Sequence, residues 1–193
     1  HTTLDQGGLV RDYTKWDDQP ASPEAAVESV RRGVMLANTR PGGPVYINLD
    51  VSVQEAELAA PPALNSISLY DTPEDTEPPT AALARAVEIL SKAKRPFFFC
   101  GRASRSLQGW NDKIRLVELL GGRATAHMKL AASFPTTHPA FVGETGWRLK
   151  GPVLAAIHDA DAIIMLDWLD AGNAINLAFP AGTKRPPHHQ HIK

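Results

Sequence analysis

This 193-residue sequence predicts an α/β fold built on a Rossmann-like parallel sheet flanked by helices, and three observations carry that prediction. Two short apolar runs, Phe97-Phe98-Phe99-Cys100 and Ala162-Ile163-Ile164-Met165-Leu166, read as strands buried on both faces. The stretches between them place apolar residues at helical spacing, and strands alternating with helices imply a parallel sheet with right-handed crossovers. A Pro-rich acidic stretch then separates this sheet from an earlier helix and strand, which belong to a second α/β domain.

The elements follow in order. Leu9–Lys15 alternates weakly and reads as a strand, broken by Asp17-Asp18-Gln19-Pro20. Ser22-Pro23-Glu24 opens a helix: Ser22 can cap, Pro23 suits the first helical position, and Glu24 favours the positive helix end. Val27, Val30 and Val34 mark its apolar face, and it should end before Pro41. Pro41-Gly42-Gly43-Pro44 is a turn, followed by a short β-prone strand over Val45–Leu49.

Residues 55–79 carry Pro61, Pro62, Pro73, Pro78 and Pro79 among Asp71, Glu74, Asp75 and Glu77. This reads as an extended surface linker, or alternatively as a long loop within one domain. The organisation is therefore a first domain over 1–58, a linker over 59–79 and a second domain over 80–193. In the second domain, Leu83, Val87 and Leu90 mark a helix before the Phe-rich strand. Gly101 turns the chain, Trp110, Ile114 and Val117 define the next helix, and Gly121-Gly122 ends it. Ala124–His127 reads as a strand, Val153–His158 as a short helix and Ala162–Leu166 as another buried strand.

The bulk properties exclude some functions. A net charge of −1 gives no electrostatic case for nucleic acid or a membrane surface. No apolar run approaches the roughly 20 residues of a membrane span. The single cysteine, Cys100, cannot form an internal disulfide and fits a reducing, cytoplasmic setting. The chain starts at His1-Thr2-Thr3, with no Met and no signal-peptide pattern, so we expect a piece of something longer, a processed product or an incomplete chain.

Four groups are candidates for chemistry. The turn Cys100-Gly101-Arg102-Ala103-Ser104-Arg105-Ser106 follows a strand and opens a helix, an arrangement that presents backbone N–H groups to phosphate. Gly101, Arg102 and Ser104 are its candidate contacts, with Arg105 adding charge. The full three-glycine dinucleotide pattern is absent, so an ordinary strand-to-helix turn is the alternative. Asp167-Trp168-Leu169-Asp170-Ala171-Gly172-Asn173 lies at the carboxyl end of a buried strand, where open sheets bind ligands. Its carboxylates, Asp167 foremost, either hold a ribose hydroxyl or a metal, or cap the following helix. His188-His189-Gln190-His191 offers imidazoles but no partner at metal-ligand spacing, so it reads as a solvated tail or the lead into a missing strand. Cys100 reads as a small buried hydrophobe. His127, His138 and His158 are scattered, and no nucleophile triad is legible.

Three blocks resemble one family. Tyr13-Thr14-Lys15-Trp16, the helix from Ser22, and Gly43-Pro44-Val45-Tyr46-Ile47 resemble the end of the pyrimidine-binding domain of thiamine-diphosphate-dependent enzymes of the acetolactate synthase type. Arg95–Arg105 resembles the start of that family's central domain, and Ala160–Leu166 a later central-domain strand. The resemblance implies a parent enzyme that uses thiamine diphosphate and Mg²⁺, acts on 2-keto acids or related acyl donors, and assembles as a homodimer or homotetramer. The family's activating glutamate and its Gly-Asp-Gly metal motif match no residue here, so no catalytic and no metal-ligating residue is assigned. Gln6 falls near a family glutamine that lines the active site. FAD is not expected in the central domain. The family's FAD-binding members place an Arg after the strand that ends here at Leu166, and this chain has Asp167-Trp168-Leu169-Asp170 instead. The rival reading is a stand-alone Rossmann-like nucleotide-binding module using the Gly101–Ser106 turn, and a third is a structural interaction domain.

Overall fold

The computed structural model describes residues 3–74, 76–104, 106–146, 148–149, 151–183 and the backbone of 188–192. The chain forms two compact units, His1–Glu77 and Pro78–Lys193.

In the first unit, β1 (Trp16–Asp18) and β2 (Val45–Ile47) pair in parallel, with Trp16 opposite Val45. The strand expected over Leu9–Lys15 is not there. Two 3₁₀ turns, Gly7–Leu9 and Arg11–Tyr13, replace it, and the strand begins only at Trp16 and runs through Asp17 and Asp18. The Arg11 guanidinium explains the compact turn, because it reaches Asp5 at 3.0 Å and Asp17 at 2.6 Å and draws the two carboxylates together.

Helix α1 (Pro23–Asn38) starts as expected: Ser22 accepts the Ala25 N–H at 3.2 Å, and Pro23 takes the first position. Its buried face is not the predicted one. Val30 and Val34 are exposed, and Ser29 and Gly33 face inward. A Cβ on Gly33 would stand 3.1 Å from Ile47 and 3.4 Å from Val45, so small residues let the helix lie close on the two strands. Ser29 donates to the Asp18 carboxylate. At the other end, the Lys15 ammonium donates to the Leu36 and Thr39 carbonyls, which a helix C-terminus leaves unpaired. A one-turn helix, α2 (Val51–Gln54), follows, with Asp50 as its cap.

The stretch read as a linker carries a 3₁₀ turn, Ile67–Tyr70. It is held to α1: Arg31 donates to the Asn65 carbonyl and lies 5.7 Å over the Tyr70 ring, and the Tyr70 hydroxyl donates to Glu28. Asp75 of that stretch lies outside the described residues.

The second unit is one five-stranded parallel sheet in the order β5-β4-β3-β6-β7. Its elements are α3 (Thr80–Leu90), β3 (Pro96–Cys100), α4 (Leu107–Leu119), β4 (Arg123–His127), β5 (Phe141–Thr145), α5 (Gly151–Asp159), β6 (Ala162–Leu166), α6 (Ala171–Ala178) and β7 (His188–Ile192). The two predicted apolar strands are immediate neighbours, with Pro96 opposite Ala162 and Cys100 opposite Leu166. Alternation along β3 feeds two cores. Phe97 and Phe99 join Val153, Ile157 and Ala174 on one face, and Phe98 and Cys100 join Val117 and Phe134 on the other.

Three expectations are corrected here. On α3, Ala86 and Ile89 are buried and Leu83 and Val87 exposed. Strand β5 was not anticipated at all. The run from His188 is not a solvated tail, because its backbone pairs with β6 from Ala162↔His188 to Leu166↔Ile192. Pro186 and Pro187 before it lie outside the described residues.

Candidate functional site

In this strand order β3 and β6 are adjacent, and the chain leaves them in opposite directions, toward β4 and toward β7. That makes the space outside their carboxyl ends a topological switch point, where open α/β sheets hold ligands. The structure brings four predicted site residues to this edge: Gly101, Arg102 and Ser104 after β3, and Asp167 after β6. Gln6 belongs to the first unit, where its side-chain oxygen accepts from the Tyr46 hydroxyl at 3.3 Å. Arg105 lies outside the described residues.

The two loops are joined to each other. Gly101 N–H donates to the Leu166 carbonyl at 2.9 Å, and Arg102 N–H to the Asp167 carbonyl at 3.0 Å. The strand ladder thus runs on past the strands. A Cβ on Gly101 would stand 2.1 Å from the Asp167 oxygen, so only glycine fits this approach. Asp167 itself adopts φ 47°, a left-handed conformation that Asp tolerates better than most residues.

The carboxylates divide their roles. Asp167 pairs with the Arg102 guanidinium at 3.5 Å. Asp170 caps α6 by accepting the Asn173 N–H at 3.0 Å. Arg102 thus offsets Asp167, and Asp170 serves the helix.

Below the turn, Ser106 caps α4 by accepting the Gly109 N–H at 3.0 Å, and its hydroxyl lies 2.9 Å from that of Ser104. The nearly buried Lys113 props the turn from inside, with its ammonium donating to the Ala103 carbonyl at 3.2 Å and the Ser104 carbonyl at 3.4 Å. It also lies 5.8 Å from the Trp110 ring centre. Burial pushes the Lys113 pKa below its usual value. Burial likewise pushes the Cys100 thiol up to about 12, against the opposing charge of Lys113, so Cys100 is a packed, inert thiol. Ser104, Ser106, Leu107, Trp110 and Ala132 line an open cleft of about 310 Å³ beside the turn.

Two participants were missed in the sequence, Lys113 and Trp168. Trp168 leaves the end of β6 and stands edge-on to Phe99, with ring centres 5.0 Å apart, and to His127 at 5.6 Å. Its place directly after an apolar strand was visible in the sequence, but the flanking carboxylates drew the reading. The three scattered histidines stay apart. His127 accepts the Lys129 N–H, His138 meets Glu118 at 3.2 Å, and His158 meets the Ala178 carbonyl at 2.7 Å.

No group of three or more His, Cys, Asp or Glu that could bind a metal occurs among the described residues. Among those residues no helix is long and apolar enough to cross a membrane.

Residues 83–174 match the family model described as the thiamine pyrophosphate enzyme central domain. The chain is 26% identical to a sulfoacetaldehyde acetyltransferase of Rhodobacter capsulatus over 165 residues, covering 84% of this chain and 27% of that protein. It is 23% identical to an acetolactate synthase large subunit of Corynebacterium glutamicum over 161 residues, covering 82% and 25%. The fold matches the solved structure of a thiamine diphosphate-dependent 4-hydroxybenzoylformate decarboxylase of Rhodococcus jostii with a TM-score of 0.62 and 19% identity, covering 100% of this chain and 33% of that one. The chain thus spans about a quarter of the length of the curated relatives it matches.

Proposed function

From the premise that residues 83–174 belong to the thiamine pyrophosphate enzyme central-domain family, we propose that this chain supplies scaffold and subunit surface to a thiamine-diphosphate- and Mg²⁺-dependent enzyme. That enzyme acts on 2-keto acids or related acyl donors, as an acetolactate synthase-like carboligase or decarboxylase. It works as a homodimer or homotetramer in the cytoplasm, where Cys100 stays reduced. The bound cofactor would supply the carbanion chemistry, and the protein the orientation and environment. The observation that carries this is the central-domain match falling on four strands of the five-stranded sheet, β3 to β6, together with relatives whose names are acetyltransferase and acetolactate synthase.

This chain's own residues do structural work in that reading. Lys113 and Ser106 fix the turn after β3, and Arg102 with Asp167 joins it to the loop after β6. Among the described residues, none is assigned to move a proton or attack a carbonyl.

The test is an assay with pyruvate, thiamine diphosphate and Mg²⁺. The 193-residue chain alone should release no CO₂ and form no acetolactate above the blank. An enzyme of the relatives' full length that carries this chain should do so, and should lose the activity with EDTA. Turnover that scales with the concentration of the 193-residue chain would overturn the scaffold role. Cofactor-independent turnover by the longer protein would overturn the thiamine-diphosphate reading.

A further inference from the structure

We infer that Trp168 sets the ligand class of the switch-point crevice, its indole standing across the sheet's carboxyl edge where a ligand's planar heteroaromatic ring would enter and closing the crevice to dinucleotides. Nothing in this depends on the chemistry of any parent enzyme.

A dinucleotide in an open α/β sheet needs two things at this point. Its pyrophosphate needs unengaged N–H groups at the turn after the first strand. Its rings need a gap between that turn and the loop across the switch point. Here the first two N–H groups beyond β3, those of Gly101 and Arg102, already donate to the Leu166 and Asp167 carbonyls at 2.9 and 3.0 Å. The Arg102 guanidinium faces Asp167 at 3.5 Å. The base of the crevice is backbone against backbone, since a Gly101 Cβ would fall 2.1 Å from the Asp167 oxygen.

Directly after Asp167 comes Trp168. It starts at the end of β6, crosses the end of β3 on Phe99 and reaches the end of β4 at His127. Both ring contacts are edge-to-face, with interplanar angles of 71° and 66°, the arrangement aromatic rings prefer. The indole is also packed against the core cluster that holds Phe97, Met165 and Ala171, so it is anchored from below. A flat heteroaromatic ring could make these same contacts with Phe99 and His127. The chain fills the place with its own side chain, and removing that side chain should leave a ring-shaped cavity. Cavities lined by apolar and aromatic groups stay dry and bind small aromatic molecules.

The experiment uses the full 193-residue chain as wild type, Trp168→Ala and Trp168→Phe. Thermal melts are run with and without free indole, and calorimetry is run with indole and with FAD. Trp168→Ala should melt lower than wild type, and indole should recover a large part of the loss while leaving wild type unmoved. Wild type should give no heat with FAD. Calorimetric binding of indole, or of FAD, to Trp168→Ala alone supports the assignment. Indole raising both proteins equally, no indole effect on a folded Trp168→Ala, or stoichiometric FAD binding by wild type overturns it. Should Trp168→Ala fail to fold, wild type labelled with 5-fluorotryptophan decides by ¹⁹F NMR, with Trp168→Phe assigning the resonance. Millimolar ADP, NAD or FAD should leave the Trp168 signal in place, and a saturable shift overturns the assignment.

Discussion

Asp161 and Arg95 bond to each other in both directions: the Asp161 carboxylate accepts the Arg95 N–H at 2.9 Å, and the Arg95 carbonyl accepts the Asp161 N–H at 3.2 Å. The same carboxylate takes the Lys94 N–H at 2.8 Å. One residue on each side later, Pro96 pairs with Ala162, so this reciprocal pair sets the register of the two central strands.

The acid limb of stability should report on that pair. Burial raises the Asp161 pKa, but the bonds from Lys94 and Arg95 outweigh it and leave it below its usual 3.8. A depressed folded pKa means stabilisation that is complete above the unfolded pKa and is lost as pH falls through the folded one. Asp161→Ala should therefore lose about 1.5–3 kcal/mol at neutral pH, the scale of hydrogen bonds to a charged group. Urea unfolding of both proteins at pH 7 and at progressively lower pH checks this. The gap should narrow as pH falls below 3.8, and a gap that does not change with pH would count against the assignment.

Gly101→Ala should be among the costliest single-methyl additions in the second unit. The added carbon meets backbone at 2.1, 2.5 and 2.6 Å, at Asp167 and Leu166, and neither loop can swing aside without breaking the bonds that join them. Overpacking of this kind costs about 1–3 kcal/mol. Thermal melts of the variant should show a clear drop, and a wild-type melting temperature would mean that the two loops are not joined as described.

Lys113 gives an alkaline signature. Its folded pKa is lowered from 10.5, chiefly by burial, so the unfolded chain binds the proton more tightly. Stability should then rise with pH between the folded pKa and 10.5, the window where the unfolded state holds more protons. Lys113→Met keeps the aliphatic packing and should abolish that rise. It should also speed amide hydrogen exchange in the turn over 103–104, which loses the ammonium on its two carbonyls. Equal slopes in alkaline unfolding curves would refute this.

Arg31→Ala should release the turn at Ile67–Tyr70. The guanidinium holds the Asn65 carbonyl and covers the Tyr70 ring. Chymotrypsin should cut after Leu69 or Tyr70 several-fold faster in the variant, as mass spectrometry of early fragments would show. An unchanged cleavage rate would mean that the turn stays on α1 by other contacts.

The sheet was legible in the sequence where residue type and environment agreed. Phe97–Cys100 and Ala162–Leu166 are apolar throughout because both faces of a parallel strand are covered. Ser22 and Pro23 fixed the start of α1 because capping is local chemistry. Strand β5 was hidden for physical reasons. No helix precedes it; the chain over 128–140 crosses in turns and buries Phe134 where a helix would pack. Gly143, at φ 135°, interrupts its pattern, and the register with β4 shifts between Ala124 and Ala126. Buried threonines repair that irregularity, Thr125 donating to the Gly143 carbonyl and Thr145 to the Ala126 carbonyl. Helix faces were misjudged on α1, where Ser29 and Gly33 pack inward and close approach outranks side-chain hydrophobicity, and on α3, where Ala86 and Ile89 are buried while Leu83 and Val87 stay out. At the candidate site, the sequence located the turn and the carboxylates but not their pairing, since Arg102 and Asp167 are 65 residues apart.

The central position of β3 also shapes how the second unit must assemble. Phe97 pairs with Arg123 on one side and with Ile163 on the other, separations of 26 (123 − 97) and 66 (163 − 97) residues. At a synthesis rate of about 5–20 residues per second, the β6 side of this all-apolar strand waits roughly 3–13 s for its partner. During that interval Phe97, Phe98 and Phe99 present one open edge in the nascent chain, a template for intermolecular pairing. Folding dominated by such distant pairings is slow. The yield of soluble protein should therefore depend on how fast β6 arrives, and slow translation between β4 and β6 should favour aggregation over folding.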